Sequence, residues 1–255
     1  MQDLRVTYIQ THQYWQDKEA NLQHFSNLLD TVHNTDLVLL PEMFNTSFSM
    51  DTSFAEEISG PSVSWMIQKA KEGGFFLGAT LMIRENNEVY NRFIIVDGEN
   101  VVAEYSKIHL FSHAGETENF TAGDENTIFE LNGWKILLKV CYDLRFPLDS
   151  RNDMDYPYDL AIYLANWPAK RSYAWRALLQ ARAIENQSYL IGVNRIGEDG
   201  NKHAYDGSSS VFDPWGNLVH HSENKDEIFS SVLQYIELSK VRENFNTLKD
   251  KLPER

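Results

Sequence analysis

Residues 134–147 read Trp-Lys-Ile-Leu-Leu-Lys-Val-Cys-Tyr-Asp-Leu-Arg-Phe-Pro, an apolar run that ends in Cys141, the only cysteine of the chain. The run Trp134–Val140 is short and rich in branched residues, which predicts a buried β-strand. A single cysteine cannot form an internal disulfide or a multi-cysteine metal site, so it is either a packing residue or a nucleophile. Because free cysteines are commonly buried, the count alone favours packing.

Nine other segments share this short, apolar, β-branched or aromatic character, and three longer ones repeat apolar residues at helical spacing. The predicted strands are Leu4–Gln10, Asp36–Leu40, Phe75–Ile83, Arg92–Asp97, Val101–Tyr105, Trp134–Val140, Leu160–Leu164, Tyr189–Asn194, Ser208–Asp213 and Ile228–Val232. The predicted helices are Lys18–Val32, Ser62–Glu72 and Ser172–Gln187, the last capped by Ser172. This alternation indicates a layered α/β fold with a mixed sheet. We expect one domain over residues 1–255, with the polar segment of about 237–255 as a surface or subunit-contact element.

The composition and the absence of several motifs exclude classes of function. The formal net charge of −14, from 37 acidic and 23 basic side chains, disfavours nucleic acid as a partner. No run of about 18 apolar residues predicts a membrane span, and the amino terminus lacks the layout of a signal peptide. With a single cysteine, this indicates a cytoplasmic protein. No HExxH, GxGxxG or GxxxxGK[ST] pattern occurs, so we expect neither a metal nor a nucleotide cofactor.

Reactive side chains follow four of the predicted strands. Glu42 follows Asp36–Leu40, Lys107 follows Val101–Tyr105, Cys141 follows Trp134–Val140, and Asn166-Trp167 follows Leu160–Leu164. Ligands of open α/β sheets collect beyond the carboxyl ends of strands, so we expect these residues to meet there. Taken singly, each is better explained by a structural role: Glu42 as a helix cap, Lys107 as a surface lysine and Cys141 as a packing thiol.

Together, these residue types support one chemistry. A thiol with a pKa near ~8.5 is mostly protonated at neutral pH, so it needs a base to become a nucleophile. A carboxylate can take the proton, and an ammonium group can stabilise the thiolate and the oxyanion that forms on attack. Glu42, Lys107 and Cys141 therefore indicate hydrolysis of an amide or nitrile through a thioester. A Cys/His protease is the alternative from the residues alone, with His109 or His113 as the base.

Several motifs resemble those of the nitrilase superfamily of carbon–nitrogen hydrolases, in the same order along nearly the whole chain. The segments that carry the resemblance are Leu39-Leu40-Pro41-Glu42-Met43-Phe44, Tyr105-Ser106-Lys107-Ile108-His109-Leu110-Phe111, Val140–Pro147, Ala165-Asn166-Trp167-Pro168, Gln180–Gln187 and Gly207-Ser208-Ser209. The resemblance implies an α-β-β-α sandwich with mixed sheets, no cofactor and at least a homodimer.

The resemblance also implies a role for each motif residue. Glu42 is the general base, Cys141 the nucleophile, Lys107 the stabiliser of the tetrahedral intermediate, and the backbone N–H of Tyr142 completes the oxyanion hole. Members of the family carry a second glutamate between the Lys and Cys motifs. Its position relative to Gly123 favours Glu116, with Glu118 as the alternative.

Within the superfamily the chain is most similar to bacterial omega-amidases. These hydrolyse the terminal amide of 2-oxoglutaramate or 2-oxosuccinamate to the 2-oxo diacid and ammonia. The resemblance implies Phe48, Asn166 and Trp167 as substrate-binding residues. Among Arg145, Lys170, Arg171 and Arg195, we select Arg171 for the substrate carboxylate and expect Arg145 to hold the nucleophile loop. A solvated residue at the start of a helix is an equal alternative for Arg171. The alternatives are an amidase for a deaminated peptide or an N-carbamoyl compound, and a non-catalytic scaffold.

Lys139 interrupts the apolar strand two residues before the nucleophile. Alternation along a strand would place residues 139 and 141 on one face, where the ammonium group would lower the pKa of the thiol. The other interpretation, which we favour, is a lysine at a strand edge or a subunit contact.

Overall fold

The structure is a computed structural model that describes residues 1–155 and 157–250. Its strands form two mixed sheets. Along the chain, helices alternate with groups of strands. The strands are β1 (Leu4–Gln10), β2 (Leu37–Leu39), β3 (Phe76–Glu85), β4 (Glu88–Val96), β5 (Val101–Ser106), β6 (Thr127–Leu131), β7 (Trp134–Val140), β8 (Leu160–Leu164), β9 (Tyr189–Val193), β10 (Ile196–Glu198), β11 (Ala204–Phe212), β12 (Leu218–Glu223) and β13 (Glu227–Leu233). The α-helices are α1 (Lys18–Leu29), α2 (Pro61–Gly73), α3 (Glu116–Asn119), α4 (Ser172–Asn186) and α5 (Tyr235–Asn244).

The first sheet has the strand order β13-β1-β2-β3-β4-β5, and the second has the order β10-β11-β9-β8-β7-β6, with β12 paired to β11. The central pairs β1/β2, β2/β3, β7/β8 and β8/β9 are parallel, and the other pairs are antiparallel. Parallel strands need covering on both faces, which explains why β2, β8 and β9 are buried at every position.

Two apolar clusters hold the layers together. The larger joins residues of both sheets, such as Leu39 and Phe93 of the first and Trp134 and Ile162 of the second, and it extends to Trp175 of α4. The smaller lies between the first sheet and helices α1 and α2, with Phe25 and Met66 at its centre. The result is the predicted α-β-β-α sandwich with mixed sheets, and the fold prediction is confirmed.

The strand predictions were incomplete at three places. Strand β6 was missed, although Asn132 and Gly133 between β6 and β7 both adopt positive φ, the geometry of a two-residue hairpin turn. Strands β10 and β12 were also missed, because both alternate weakly and are held by pairing with β11. Ser172 does not cap α4 with its side chain, since its hydroxyl donates to Asp206 instead.

The carboxyl-terminal segment packs on its own chain. Leu238 and Val241 of α5 are buried, and the Arg242 guanidinium donates to Asp159 at 2.7 Å and to the Gln187 carbonyl at 3.2 Å. The predicted surface element of about 237–255 extends to residues 251–255, which lie outside the described residues. Within the described chain, no helix combines the length and apolar character needed to span a membrane.

Candidate active site

Cys141 stands at the point where β7 turns into a short 3-10 helix, Cys141–Arg145. Its φ of +45° lies in the left-handed region, which is uncommon for a residue with a Cβ and indicates local strain at a functional position. The sharp turn lifts the thiol out of the strand at the carboxyl edge of the sheet. The side chain is nearly buried, and its Sγ lies 4.0 Å from the Asn166 carbonyl oxygen.

Glu42 is completely buried three residues beyond β2. Its Oε1 accepts hydrogen bonds from Lys107 Nζ at 3.1 Å and from Asn91 Nδ2 at 2.8 Å. Its Oε2 accepts the backbone N–H of Asn166 at 2.7 Å. Three donors therefore orient this carboxylate, one from within β4 and two from the residues that follow β5 and β8.

Lys107 follows β5 and is also completely buried, with its ammonium group between two carboxylates. Besides Glu42, it donates to both oxygens of Glu116, at 3.0 and 2.8 Å. Of the two candidate glutamates, the structure places Glu116 in this cluster, whereas Glu118 is exposed and accepts a hydrogen bond from Thr117. Glu116 is held in turn by the backbone N–H of Phe111 at 2.6 Å.

The charges of the cluster determine its ionisation. Burial acts to lower the pKa of Lys107, but the carboxylates of Glu116 and Glu42 outweigh it and raise the pKa above its ordinary value. Burial raises the pKa of Glu42, and the attraction of Lys107 only partly opposes this. One ammonium group cannot balance two carboxylates, so Glu42 is a stronger base than an exposed glutamate.

The thiol is neutral in this resting arrangement. Burial and then the negative charge of Glu42 raise the pKa of Cys141 well above its ordinary value, whereas Lys107 acts in the opposite sense. The raised pKa of Glu42 makes this carboxylate a better acceptor for the thiol proton than an exposed glutamate would be. This is the arrangement that a cysteine activated by an adjacent base requires.

Sequence reasoning missed Asn91 of β4. Its Nδ2 bridges Glu42 at 2.8 Å and Glu116 at 3.1 Å, and its carbonyl accepts the backbone N–H of Lys107 at 3.0 Å. Asn91 therefore joins all three charged residues. The signal was a polar residue before an apolar run, but the predicted strand began one residue later, at Arg92.

A cavity of about 950 Å³ opens onto Cys141 and Tyr142. The other predicted substrate-binding residues, Phe48, Asn166, Trp167 and Arg171, also line this cavity. The N–H of Tyr142 belongs to the first turn of the 3-10 helix, where amide groups have no partner within the helix.

The cavity is lined mainly by cationic and aromatic side chains, despite the acidity of the whole chain. His113, Arg145, Lys170, Arg171 and His203 line it, and Asp199 is the only carboxylate among the described lining residues. That carboxylate is already occupied, because Asp199 accepts the Tyr205 hydroxyl at 2.9 Å and two backbone N–H groups. The cavity is therefore suited to an anion.

The candidate arginines differ in their surroundings. The guanidinium of Arg145 lies 4.8 Å from the ring centroid of Trp167, and that of Arg171 lies 5.2 Å from that of Phe111. Among the described residues neither guanidinium forms an ion pair or a hydrogen bond, and the expectation that Arg145 holds the nucleophile loop stays a prediction. Arg195 is buried outside the cavity lining and donates to the Gln13 carbonyl.

Lys139 is neither at a strand edge nor exposed. It is completely buried on β7, an interior strand of the second sheet, so the prediction of an edge position was wrong. Its Nζ lies 3.3 Å from the Tyr105 hydroxyl and 2.5 Å from Asn126 Oδ1. The charged groups that shift the pKa of Cys141 are Glu42, Lys107 and Glu116, so the thiol is governed by the cluster around Lys107.

Comparisons with known proteins agree with this geometry. A family model described as "Carbon-nitrogen hydrolase" matches residues 5–242. The chain is 43% identical over 219 residues to "Omega-amidase YafV" of Escherichia coli (strain K12), covering 86% of this chain and 85% of that protein. It is 32% identical over 221 residues to the "2-oxoglutaramate amidase" of Bacillus subtilis (strain 168), covering 85% of each. The crystal structure of XC1258 from Xanthomonas campestris, a CN-hydrolase superfamily protein with an arsenic adduct in its active site, has a TM-score of 0.96 and 34% identity, covering 100% of this chain and 99% of that one. On these matches, this chain belongs to the carbon–nitrogen hydrolase family.

Proposed function

We propose that this chain is an omega-amidase, which hydrolyses the terminal amide of a small 2-oxo acid amide, 2-oxoglutaramate or 2-oxosuccinamate, to the 2-oxo diacid and ammonia. The observation that carries the proposal is the buried cluster of Glu42, Lys107 and Glu116 beside Cys141, at one end of a cationic cavity. The similarity to an omega-amidase and to a 2-oxoglutaramate amidase supports the substrate class.

In the first half of the reaction, Glu42 takes the thiol proton as Sγ of Cys141 attacks the amide carbon. The oxyanion that forms is stabilised by the Lys107 ammonium group and the Tyr142 N–H. When the intermediate collapses, Glu42 returns the proton to the leaving nitrogen. The C–N bond breaks, ammonia leaves, and the acyl group remains on sulfur as a thioester.

In the second half, a water molecule occupies the position that ammonia left. Glu42 removes a proton from this water as it attacks the thioester carbon, and the same two donors hold the oxyanion. Collapse breaks the C–S bond, releases the carboxylic acid and returns the proton to Cys141. Glu116 keeps Lys107 oriented throughout, because it binds the ammonium group through both carboxylate oxygens.

The cavity fits the far end of such a substrate. A 2-oxo acid amide carries one carboxylate, and Arg171 supplies an unpaired guanidinium on the cavity wall beside Phe111. Arg145 offers a second guanidinium, which lies over the ring of Trp167. Phe48 forms an apolar wall next to Lys107, whose Nζ lies 5.2 Å from the Phe48 ring centroid. Asn166 positions Glu42 through its backbone N–H.

A substrate panel tests the proposal. We expect ammonia release from 2-oxoglutaramate and 2-oxosuccinamate with a kcat/KM well above that for glutamine, asparagine and N-carbamoyl amino acids. The Cys141→Ala variant should be inactive, because no other described residue can form the thioester. Wild-type rates in Cys141→Ala would eliminate the mechanism, and a preference for N-carbamoyl compounds would eliminate the substrate class.

Substitution of the arginines tests carboxylate binding. Arg171→Gln should raise KM for 2-oxoglutaramate by about tenfold or more, because a charge-assisted hydrogen bond contributes ~1.5–3 kcal/mol. The change of KM in Arg145→Gln measures how much the second guanidinium contributes to carboxylate binding. Arg176→Gln is the matched control, since Arg176 lies in α4, the helix that follows Arg171, but is paired with Glu223 at 3.8 Å, outside the cavity lining. If KM is unchanged in Arg171→Gln, Arg171 does not bind the substrate carboxylate. A raised KM in Arg145→Gln would then assign that role to Arg145, and an unchanged KM in both variants would exclude both arginines.

Two further properties belong to the proposal. We infer a cytoplasmic location because the nucleophile is an unpaired thiol, which a reducing compartment preserves. We also infer at least a homodimer, consistent with exposed apolar side chains such as Ile184, Trp215 and Phe245. Cell fractionation tests the first, and a monomeric mass by light scattering would refute the second.

A further inference from the structure

The buried lysine that precedes the nucleophile has no role in the mechanism above. Lys139 is completely buried, yet burial lowers its pKa and works against its charge. Its contacts are the Tyr105 hydroxyl at 3.3 Å, the Tyr105 ring centroid at 5.0 Å and the Asn126 side-chain oxygen at 2.5 Å. A buried ammonium group is costly to keep, so its partners indicate what it supports.

The hydrogen bonds lead from Lys139 to the nucleophile turn. The Tyr105 hydroxyl donates to Asp143 Oδ2 at 2.8 Å, and the same oxygen accepts the backbone N–H of Val140 at 2.9 Å. Asp143 Oδ1 accepts the backbone N–H of His109, also at 2.9 Å. One buried carboxylate therefore joins the residue before the nucleophile to a residue just beyond the catalytic lysine.

We propose that Lys139 is a positioning residue for Cys141, acting through the hydrogen-bonded chain Lys139–Tyr105–Asp143 that ties the nucleophile turn to the loop after Lys107. The proposal rests on the proposed function, because it assumes that Cys141 attacks the substrate and that Lys107 stabilises the oxyanion.

The direction of the hydrogen bonds supports this order. An ammonium group can only donate, so the Tyr105 oxygen must accept from Lys139, and its own proton is directed to Asp143. The backbone N–H of Ile108 also approaches the Tyr105 oxygen, at 3.4 Å. Lys139 thus fixes the orientation of the hydroxyl and places a positive charge near the carboxylate of Asp143, which is 1% exposed.

The strained backbone at Cys141 explains why the nucleophile turn needs the support of these hydrogen bonds. A positive φ at a residue with a Cβ persists only where the surroundings determine the backbone. Asp143 holds the backbone directly before Cys141 and also the loop of Lys107, so it sets the distance between the thiol and the oxyanion donors. A displaced turn would impair attack but would leave the distal cavity, where the substrate carboxylate binds, unchanged.

The experiment therefore measures kcat and KM separately, because a displaced turn would impair attack and leave substrate binding unchanged. Lys139→Met should lower kcat on 2-oxoglutaramate by about 10- to 100-fold, the range expected for a misplacement of about 1 Å, with KM within about twofold of wild type. Tyr105→Phe should give a similar loss. In the double variant the loss should be no larger than in the more impaired single variant, because both changes break one chain.

Controls separate positioning from folding and from the catalytic proposal. Lys135→Met, four residues earlier on the same strand, should keep wild-type kcat. The fraction of folded protein is read from circular dichroism, and kcat is expressed per folded site. A Lys139→Met protein that melts at a lower temperature but keeps wild-type kcat would overturn the proposal, as would additive losses in the double variant.

Three remaining outcomes are also decisive. If Lys139→Met does not fold, Tyr105→Phe decides alone, with a reduced kcat supporting the proposal and a wild-type kcat overturning it. If Cys141→Ala retains wild-type activity, the proposed function fails, whatever Lys139 does. If Cys141→Ala is inactive while Lys139→Met and Tyr105→Phe are fully active, only the positioning role fails.

Discussion

Replacement of Glu42 by glutamine separates two properties that usually change together, the ionisation of the nucleophile and the rate of hydrolysis. The substitution keeps the size of the side chain and removes its negative charge and its basicity. Since that charge is a main cause of the raised pKa of Cys141, we expect the pKa of the thiol to fall in Glu42→Gln. The thiol should then ionise more readily, although hydrolysis has lost its base.

The structure bounds the change in hydrolysis. A general base in contact with the reacting proton contributes ~10²- to 10⁴-fold. At about 1.36 kcal/mol per tenfold change, this corresponds to about 3–5 kcal/mol in the activation free energy. Both half-reactions use Glu42, and no other described carboxylate is free to replace it, because Glu116 is bound to Lys107 through both oxygens. We therefore expect kcat/KM to fall by at least about 100-fold.

The same contacts bound the change in stability. One carboxylate oxygen of Glu42 accepts hydrogen bonds from Lys107 and Asn91, and the other accepts the backbone N–H of Asn166. A glutamine amide has only one oxygen, so it cannot accept hydrogen bonds on both sides. One donor is left unsatisfied, which costs about 1–3 kcal/mol. Removal of the second carboxylate leaves a balanced pair of Lys107 and Glu116, which offsets part of this cost. The variant should therefore fold.

The assay has two parts. Ammonia release from 2-oxoglutaramate gives kcat/KM, and alkylation by iodoacetamide over a range of pH reports the thiolate. Glu42→Gln should hydrolyse far more slowly than wild type and yet reach half-maximal alkylation at a lower pH. Glu118→Gln, an exposed glutamate outside the cluster, is the control and should change neither value. A loss of hydrolysis below tenfold, or alkylation that moves to higher pH, would refute the reasoning.

Three other predictions follow from the same contacts. Asn91→Leu removes a donor that lowers the pKa of Glu42, so the acid limb of the kcat/KM profile should move to higher pH, and an unmoved limb would contradict the bridging role. The raised pKa of Glu42 means that its contribution to folding is largest at low pH and is lost as pH rises through that pKa. Urea unfolding should therefore show Glu42→Gln gaining stability relative to wild type as pH rises, and the opposite trend would count against a raised pKa. Trp134→Ala should lower the free energy of unfolding by about 3–5 kcal/mol, because the ring is fully buried between the sheets, and a loss below 1 kcal/mol would show that this core can collapse.

Much of the fold could be predicted because the decisive strands are largely buried and rich in apolar residues. Leu4–Gln10, Trp134–Val140 and Leu160–Leu164 begin and end in the structure at the predicted residues. Their burial on both sides gives each one a short apolar run bounded by polar residues. Strand β12 could not be found this way, because it is largely exposed and its conformation is determined by pairing with β11.

The residues of the candidate site also divide into those that the sequence identifies and one that it does not. Glu42, Lys107 and Cys141 were identifiable because each follows an apolar strand, and the family motifs around them are specific. Asn91 was not, because an asparagine within a strand has no distinctive spacing, and its importance arises from two carboxylates 49 and 25 residues away.

The sequence by itself determined most of the strands and helices, the family and the type of chemistry, since these depend on local apolar patterns and on motifs that are contiguous in the chain. Only the tertiary structure decided that Glu116 rather than Glu118 joins Lys107, that the resting thiol is neutral, and that Lys139 is buried against Tyr105. Those outcomes depend on burial and on contacts between residues far apart in the chain, here 9 residues between Lys107 and Glu116 and 34 between Lys139 and Tyr105. Such contacts leave no pattern in the sequence, because they form only when the two sheets pack together.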